Sequence, residues 1–134
     1  MNPTQPATPQ PQTLSKKILL VEDEDFIREL YVRQLTKEGF VVKSAPDGQT
    51  GLNTLKAEPF DLLLLDIMLP GGKNGFDLLE ALKQRDQLRS IPVIVLTNLD
   101  TEEKVTKEIG AQKYLVKANT KPEDIITEIN TLLA

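Results

Sequence analysis

Five short apolar runs punctuate this chain, and a longer amphipathic stretch follows each of them. The runs are "KILLV" (17–21), "FVVKSA" (40–45), "DLLLLD" (61–66), "IPVIVLT" (91–97) and "KYLVK" (113–117). Apolar runs of that length fit strands covered on both faces. Between them, apolar residues recur at helical spacing. Phe26, Ile27, Leu30, Tyr31 and Leu35 form one stripe, closed by Gly39 in a C-cap position. Residues 47–56 read as a second helix turning Leu52 and Leu55 inward, and residues 76–85 as a third. Asp100 with Glu103 predicts a capping-box start for a fourth helix ending near Gly110. Thr120 as N-cap, Pro122 in the first turn and Glu123 in the reciprocal position open a fifth helix. Its Ile125, Ile126, Ile129, Leu132 and Leu133 share one face. Strands alternating with helices predict an α/β fold, and right-handed crossovers make a doubly wound parallel sheet its natural form.

Composition narrows the chemistry. The chain has neither histidine nor cysteine among its 134 residues. That removes the histidine-dependent triads, thiol nucleophiles and the common zinc ligands. Carboxylates, lysines, hydroxyls and a hard, oxygen-loving cation remain. A net charge of -4 argues against direct nucleic-acid binding. No apolar run approaches the roughly 20 residues of a membrane helix, and the amino terminus lacks the pattern of a secretory signal. A cytoplasmic protein without a membrane partner is expected. Residues 1–15 carry no charge and four prolines, so a disordered Pro/Gln/Thr-rich tail is expected there, with a single folded domain over 16–134.

In open α/β sheets, ligands bind outside the carboxyl ends of the strands, where strand order reverses. If the order is 2-1-3-4-5, the first and third strands are neighbours at that point. "VEDED" then brings Glu22 and Asp23 against Asp66, which closes "LLLLD". Two like charges 4 Å apart repel by about 4 kcal/mol at an effective dielectric of 20. Lys117, ending the fifth run, or a bound Mg²⁺ would offset that cost. Each residue alone has an ordinary reading: Asp66 and Thr97 as helix caps, the acidic run as a solvated face, Lys117 as a surface lysine, Tyr114 as a strand aromatic.

Taken in order, "KILLVEDED", "DLLLLDIMLPG" with "NGFDLL", "IPVIVLTN" and "YLVK" resemble the receiver domain of two-component response regulators, from Lys17 to the end of the chain. The resemblance implies a flavodoxin-like five-stranded sheet of order 2-1-3-4-5. It implies that Asp66 accepts a phosphoryl group from a histidine kinase or histidine phosphotransfer protein. Glu22, Asp23, Asp66 and the Met68 backbone carbonyl would hold Mg²⁺, with Glu22 acting directly or through a water. Lys117 and Thr97 would contact the phosphoryl oxygens, and Thr97 with Tyr114 would form the switch. Output would pass to a protein partner through the fourth helix, fifth strand and fifth helix, with phosphorylation-dependent homodimerisation allowed by the same face. The chain is expected to be a stand-alone or excised switch assisting its own phosphoryl transfer and hydrolysis rather than a turnover enzyme. The alternative is a pseudo-receiver that binds partners without phosphorylation. A dehalogenase-type phosphatase fits less well, because Ile67 and Met68 follow Asp66 where that class has a second aspartate.

Several positions depart from the family pattern. Glu22 stands where aspartate is commoner, and Asn98 where a small residue is usual. The loop from Ile67 to Gly75 looks one residue long, and the stretch from Thr97 to Lys117 about two residues short. Ala118 replaces the usual cis proline, and a cis bond between Lys117 and Ala118 is expected by carry-over. Met68 and Leu99, both apolar, occupy positions that tune hydrolysis in the family, which predicts a long-lived acyl phosphate.

Overall fold

A computed structural model describes residues 15–69 and 74–134. The expected disorder of the tail, Ser15 apart, and part of the lengthened loop lie outside the described residues. Five strands alternate with five helices: β1 (Lys17–Val21), α1 (Asp25–Lys37), β2 (Val41–Ala45), α2 (Gly48–Ala57), β3 (Leu62–Leu65), α3 (Gly75–Lys83), β4 (Val93–Thr97), α4 (Glu103–Ile109), β5 (Lys113–Val116) and α5 (Pro122–Leu133). All neighbouring strands pair in parallel, in the order β2-β1-β3-β4-β5.

Alternate side chains of the central strands feed two cores, one on each face. Leu19, Val21, Leu63, Leu65, Val93 and Val95 pack towards α2 and α3. Ile18, Leu20, Leu62, Leu64, Ile94 and Leu96 pack with Leu35, Ile125 and Ile129 of α1 and α5. The leucine run of β3 is therefore a strand buried on both faces, as a central parallel strand requires.

Local details differ from the sequence expectations in four places. Phe26 leaves the α1 stripe and is 77% exposed, because it stands in the first turn, at the margin of the apolar face. The fourth helix begins at Glu103 with Glu102 as N-cap, and no Asp100 capping box forms. In α5 the cap lies one residue later than Thr120: the Lys121 N–H donates to Asp124 Oδ2 at 3.0 Å, while the Thr120 hydroxyl donates to the Val116 carbonyl at 2.7 Å. Among the described residues no peptide bond is cis, so Lys117–Ala118 is trans. Without proline the cis form costs about 2.5–4 kcal/mol, and residues Lys117–Asn119 instead wind into a short 3₁₀ turn. Gly39 does end α1 as expected, at a φ of 99° that favours glycine.

Candidate functional site

Sheet register builds the site. Val21 pairs with Leu65, so Glu22 and Asp66 leave two adjacent strands at one level. Thr97 pairs with Val116, which brings Lys117 out beside the end of β4. The backbone fixes both acids at their exits: the Asp66 N–H donates to the Val21 carbonyl and the Glu22 N–H to the Ala45 carbonyl, each at 3.0 Å.

Lys117 Nζ sits between the two acids, 2.5 Å from Glu22 Oε1 and 2.8 Å from Asp66 Oδ2. The three side chains are 12%, 2% and 7% exposed for Lys117, Glu22 and Asp66. Remaining lone pairs are also used. The Glu24 N–H donates to Glu22 Oε2 at 3.1 Å, and the Met68 N–H to Asp66 Oδ1 at 2.9 Å. Burial pushes the Glu22 carboxyl above its ordinary value, against the pull of Lys117 and the Glu24 N–H. Burial alone would lower Lys117, but its bonds to Asp66 and Glu22 outweigh that and hold the ammonium above its usual value. A permanent cation thus stands against the Asp66 carboxylate.

Asp23 joins this pair from the exposed side, and one oxygen each of Glu22, Asp23 and Asp66 lie within 4.8 Å of one another. Two oxygens on one Mg²⁺ lie at most about 4.2 Å apart, given Mg–O distances near 2.1 Å. The three acids stand close to that spacing, and their hard oxygen donors suit the ion. Met68, expected to lend its carbonyl, already has its N–H on Asp66.

The two switch candidates both bond the backbone of Leu99 rather than the acids. Thr97 is fully buried, and its Oγ1 accepts from the Leu99 N–H at 3.4 Å. The Tyr114 hydroxyl donates to the Leu99 carbonyl. Among the described residues, Thr97 makes no side-chain hydrogen bond to Asp66 or Lys117.

Two contributors escaped the sequence reading. Gly75 opens α3 so close beneath the acceptor strand that an added Cβ would lie 2.3 Å from Ile67 Cα and 2.6 Å from the Asp66 carbonyl oxygen. Arg28 reaches back from α1 to the carbonyl oxygens of Glu22 and Asp23. A Gly after Asn signals a turn, but nothing in sequence signals these contacts, which exist only once the helices dock.

Comparison with known proteins agrees with this architecture. Residues 18–130 match the sequence model described as the response regulator receiver domain. The chain is 40% identical over 119 residues to the probable transcriptional regulatory protein SilR of Salmonella typhimurium, covering 87% of this chain and 50% of SilR. It is 36% identical over 122 residues to the phosphate regulon transcriptional regulatory protein PhoB of Escherichia coli K12, covering 90% and 52%. It therefore spans about half the length of these curated relatives. Among solved structures, the chemotaxis protein CheY4 of Vibrio cholerae superposes with a TM-score of 0.81 at 29% identity, over 89% of this chain and 99% of that one. The BeF3-activated N-terminal receiver domain of Klebsiella pneumoniae RstA gives 0.79 at 33% identity, over 87% and 97%.

Proposed function

Because the chain belongs to the response regulator receiver domain family, we propose that it is a phosphorylation switch with Asp66 as acceptor. The donor is the phosphohistidine of a histidine kinase or histidine phosphotransfer protein. An Asp66 carboxylate oxygen attacks phosphorus, the N–P bond breaks, and an acyl phosphate forms while the histidine takes up a proton. Such a transfer depends on positioning and charge neutralisation more than on covalent help.

The observation that carries this reading is Lys117 Nζ, bonded to both Glu22 and Asp66. It supplies a fixed positive charge where a phosphoryl oxygen arrives. The Met68 N–H holds the other Asp66 oxygen, so the nucleophile is oriented in advance. Glu22, Asp23, Asp66 and the Met68 carbonyl would hold Mg²⁺, which neutralises charge on the phosphoryl oxygens when bound. Thr97, buried at the end of β4, is the hydroxyl that turns to a phosphoryl oxygen. The Leu99 backbone, whose N–H donates to Thr97 and whose carbonyl accepts from Tyr114, would carry that movement outward.

Output then runs through the α4-β5-α5 face, where Lys113 and Glu128 tie β5 to α5 at 3.4 Å and Val105 is exposed. The receiver acts there through protein contacts, including a phosphorylation-dependent homodimer, and not by touching nucleic acid itself. Among the described residues no helix is long and apolar enough to cross a membrane, in keeping with a cytoplasmic switch. Met68 and Leu99 give no polar group to orient an attacking water, so the acyl phosphate decays slowly.

Incubation with acetyl phosphate, followed by intact mass, tests the reading. Wild type should gain one phosphoryl group with Mg²⁺ and none without it. No gain at saturating Mg²⁺ would overturn the switch and favour the pseudo-receiver.

A further inference from the structure

The β1–α1 turn carries two of the three clustered acids, and the start of α1 grips it. Arg28 Nη1 donates to the Glu22 carbonyl at 3.0 Å and to the Asp23 carbonyl at 3.3 Å. Its Nη2 donates to Asp25 Oδ1 at 2.5 Å. One guanidinium nitrogen thus bridges two successive peptide units while the other anchors on Asp25, an arrangement suited to a planar fork of donors. The Glu22 carboxylate has its own restraints in Lys117 and the Glu24 N–H. The Asp23 carboxylate has no hydrogen bond or ion pair among the described residues. Its direction follows from its backbone, and Arg28 holds that backbone.

We infer that Arg28 is a positioning residue that presets the Glu22–Asp23 turn for Mg²⁺; this rests on the metal-holding role proposed above. Two effects oppose each other. The guanidinium charge repels an arriving cation, and its fork removes the cost of ordering the turn. Asp25 already neutralises much of that charge, so ordering dominates. Groups that orient metal ligands in this way commonly change affinity by ten- to a hundredfold when removed.

Calorimetric Mg²⁺ titration of wild type, Arg28→Met and Arg28→Lys separates these effects, with metal-free thermal melts beside it. Both variants should weaken Mg²⁺ binding by about tenfold. Lysine fails because its side chain is one bond shorter than the reach to Nη1 and lacks the second nitrogen that holds Asp25. A purely structural role would lower the melting temperature and leave the dissociation constant in place, which would overturn the inference. So would tighter binding in Arg28→Met, or full rescue by lysine. If Arg28→Met does not fold, Arg28→Lys carries the test. Wild type that binds Mg²⁺ while neither variant differs from it sinks this inference alone. Wild type that binds no Mg²⁺ sinks it together with the metal-holding reading.

Discussion

Each end of the sheet carries an ion-pair network, and the two are built in opposite senses. At the amino ends, Glu58 lies between Lys17 and Lys43, two cations to one acid. These groups are partly open to water, with Lys17 and Glu58 side chains 27% and 24% exposed. The two lysines hold the Glu58 carboxyl below its ordinary value. At the carboxyl ends, Lys117 alone serves Glu22 and Asp66, with Asp23 adjacent. There burial pushes Glu22 up despite its lysine. The amino-end network satisfies itself. The carboxyl-end one keeps an excess of negative charge out of water, and such an excess fits a site that takes a cation. Volume misses this difference: a 550 Å³ cleft lined by Leu55, Phe60, Arg85, Leu88 and Ile91 opens at the amino ends, away from the clustered acids.

Removing the lone cation should break the comparison most severely. Lys117→Met leaves two buried acids without their partner and should cost about 3 kcal/mol in urea denaturation. Added Mg²⁺ should recover part of that loss. Lys17→Met, in the more exposed network, should cost far less, because screened ion pairs contribute little. Equal losses at the two ends would refute the contrast.

Backbone closeness gives the next effect. Gly75→Ala forces the α3 start away from Ile67 and the Asp66 carbonyl and should cost about 2 kcal/mol. It should also slow acyl-phosphate formation at fixed acetyl phosphate. Unchanged stability and rate would show that α3 does not brace the acceptor.

The smallest effect is in pH. Glu58 has a folded-state pKa below its unfolded value, near 4.5. Its contribution to stability is present above that unfolded value and fades as pH falls through the folded one. Glu58→Gln should therefore flatten the acid limb of the stability curve below about pH 4.5 and leave stability's pH dependence near pH 7 unchanged. An acid limb as steep as wild type would remove Glu58 from the account.

Strand order and the main acids were legible because hydrophobic runs of strand length and the residues ending them are local signals. Helix starts were less so. Around α4, Asp100 and Thr101 are both good cap residues, yet the helix starts after Glu102, which makes no side-chain cap bond. The Lys117–Ala118 bond was misread because a family habit built on proline was transferred to alanine. Phe26 illustrates the limit of periodicity, which finds a stripe but not where the sheet beneath it ends. Arg28 and Gly75 were invisible for another reason: their contacts form only when tertiary structure brings a helix start against a strand end.

The central claim, that Asp66 is the acceptor, is tested most directly by borohydride trapping after treatment with acetyl phosphate and Mg²⁺. Reduction of an aspartyl phosphate yields homoserine, which peptide mass spectrometry locates. Homoserine at position 66, absent without Mg²⁺ and absent in Asp66→Asn, is the predicted result. Homoserine at Asp23 or another acid, or at none in protein shown to bind Mg²⁺, would contradict it.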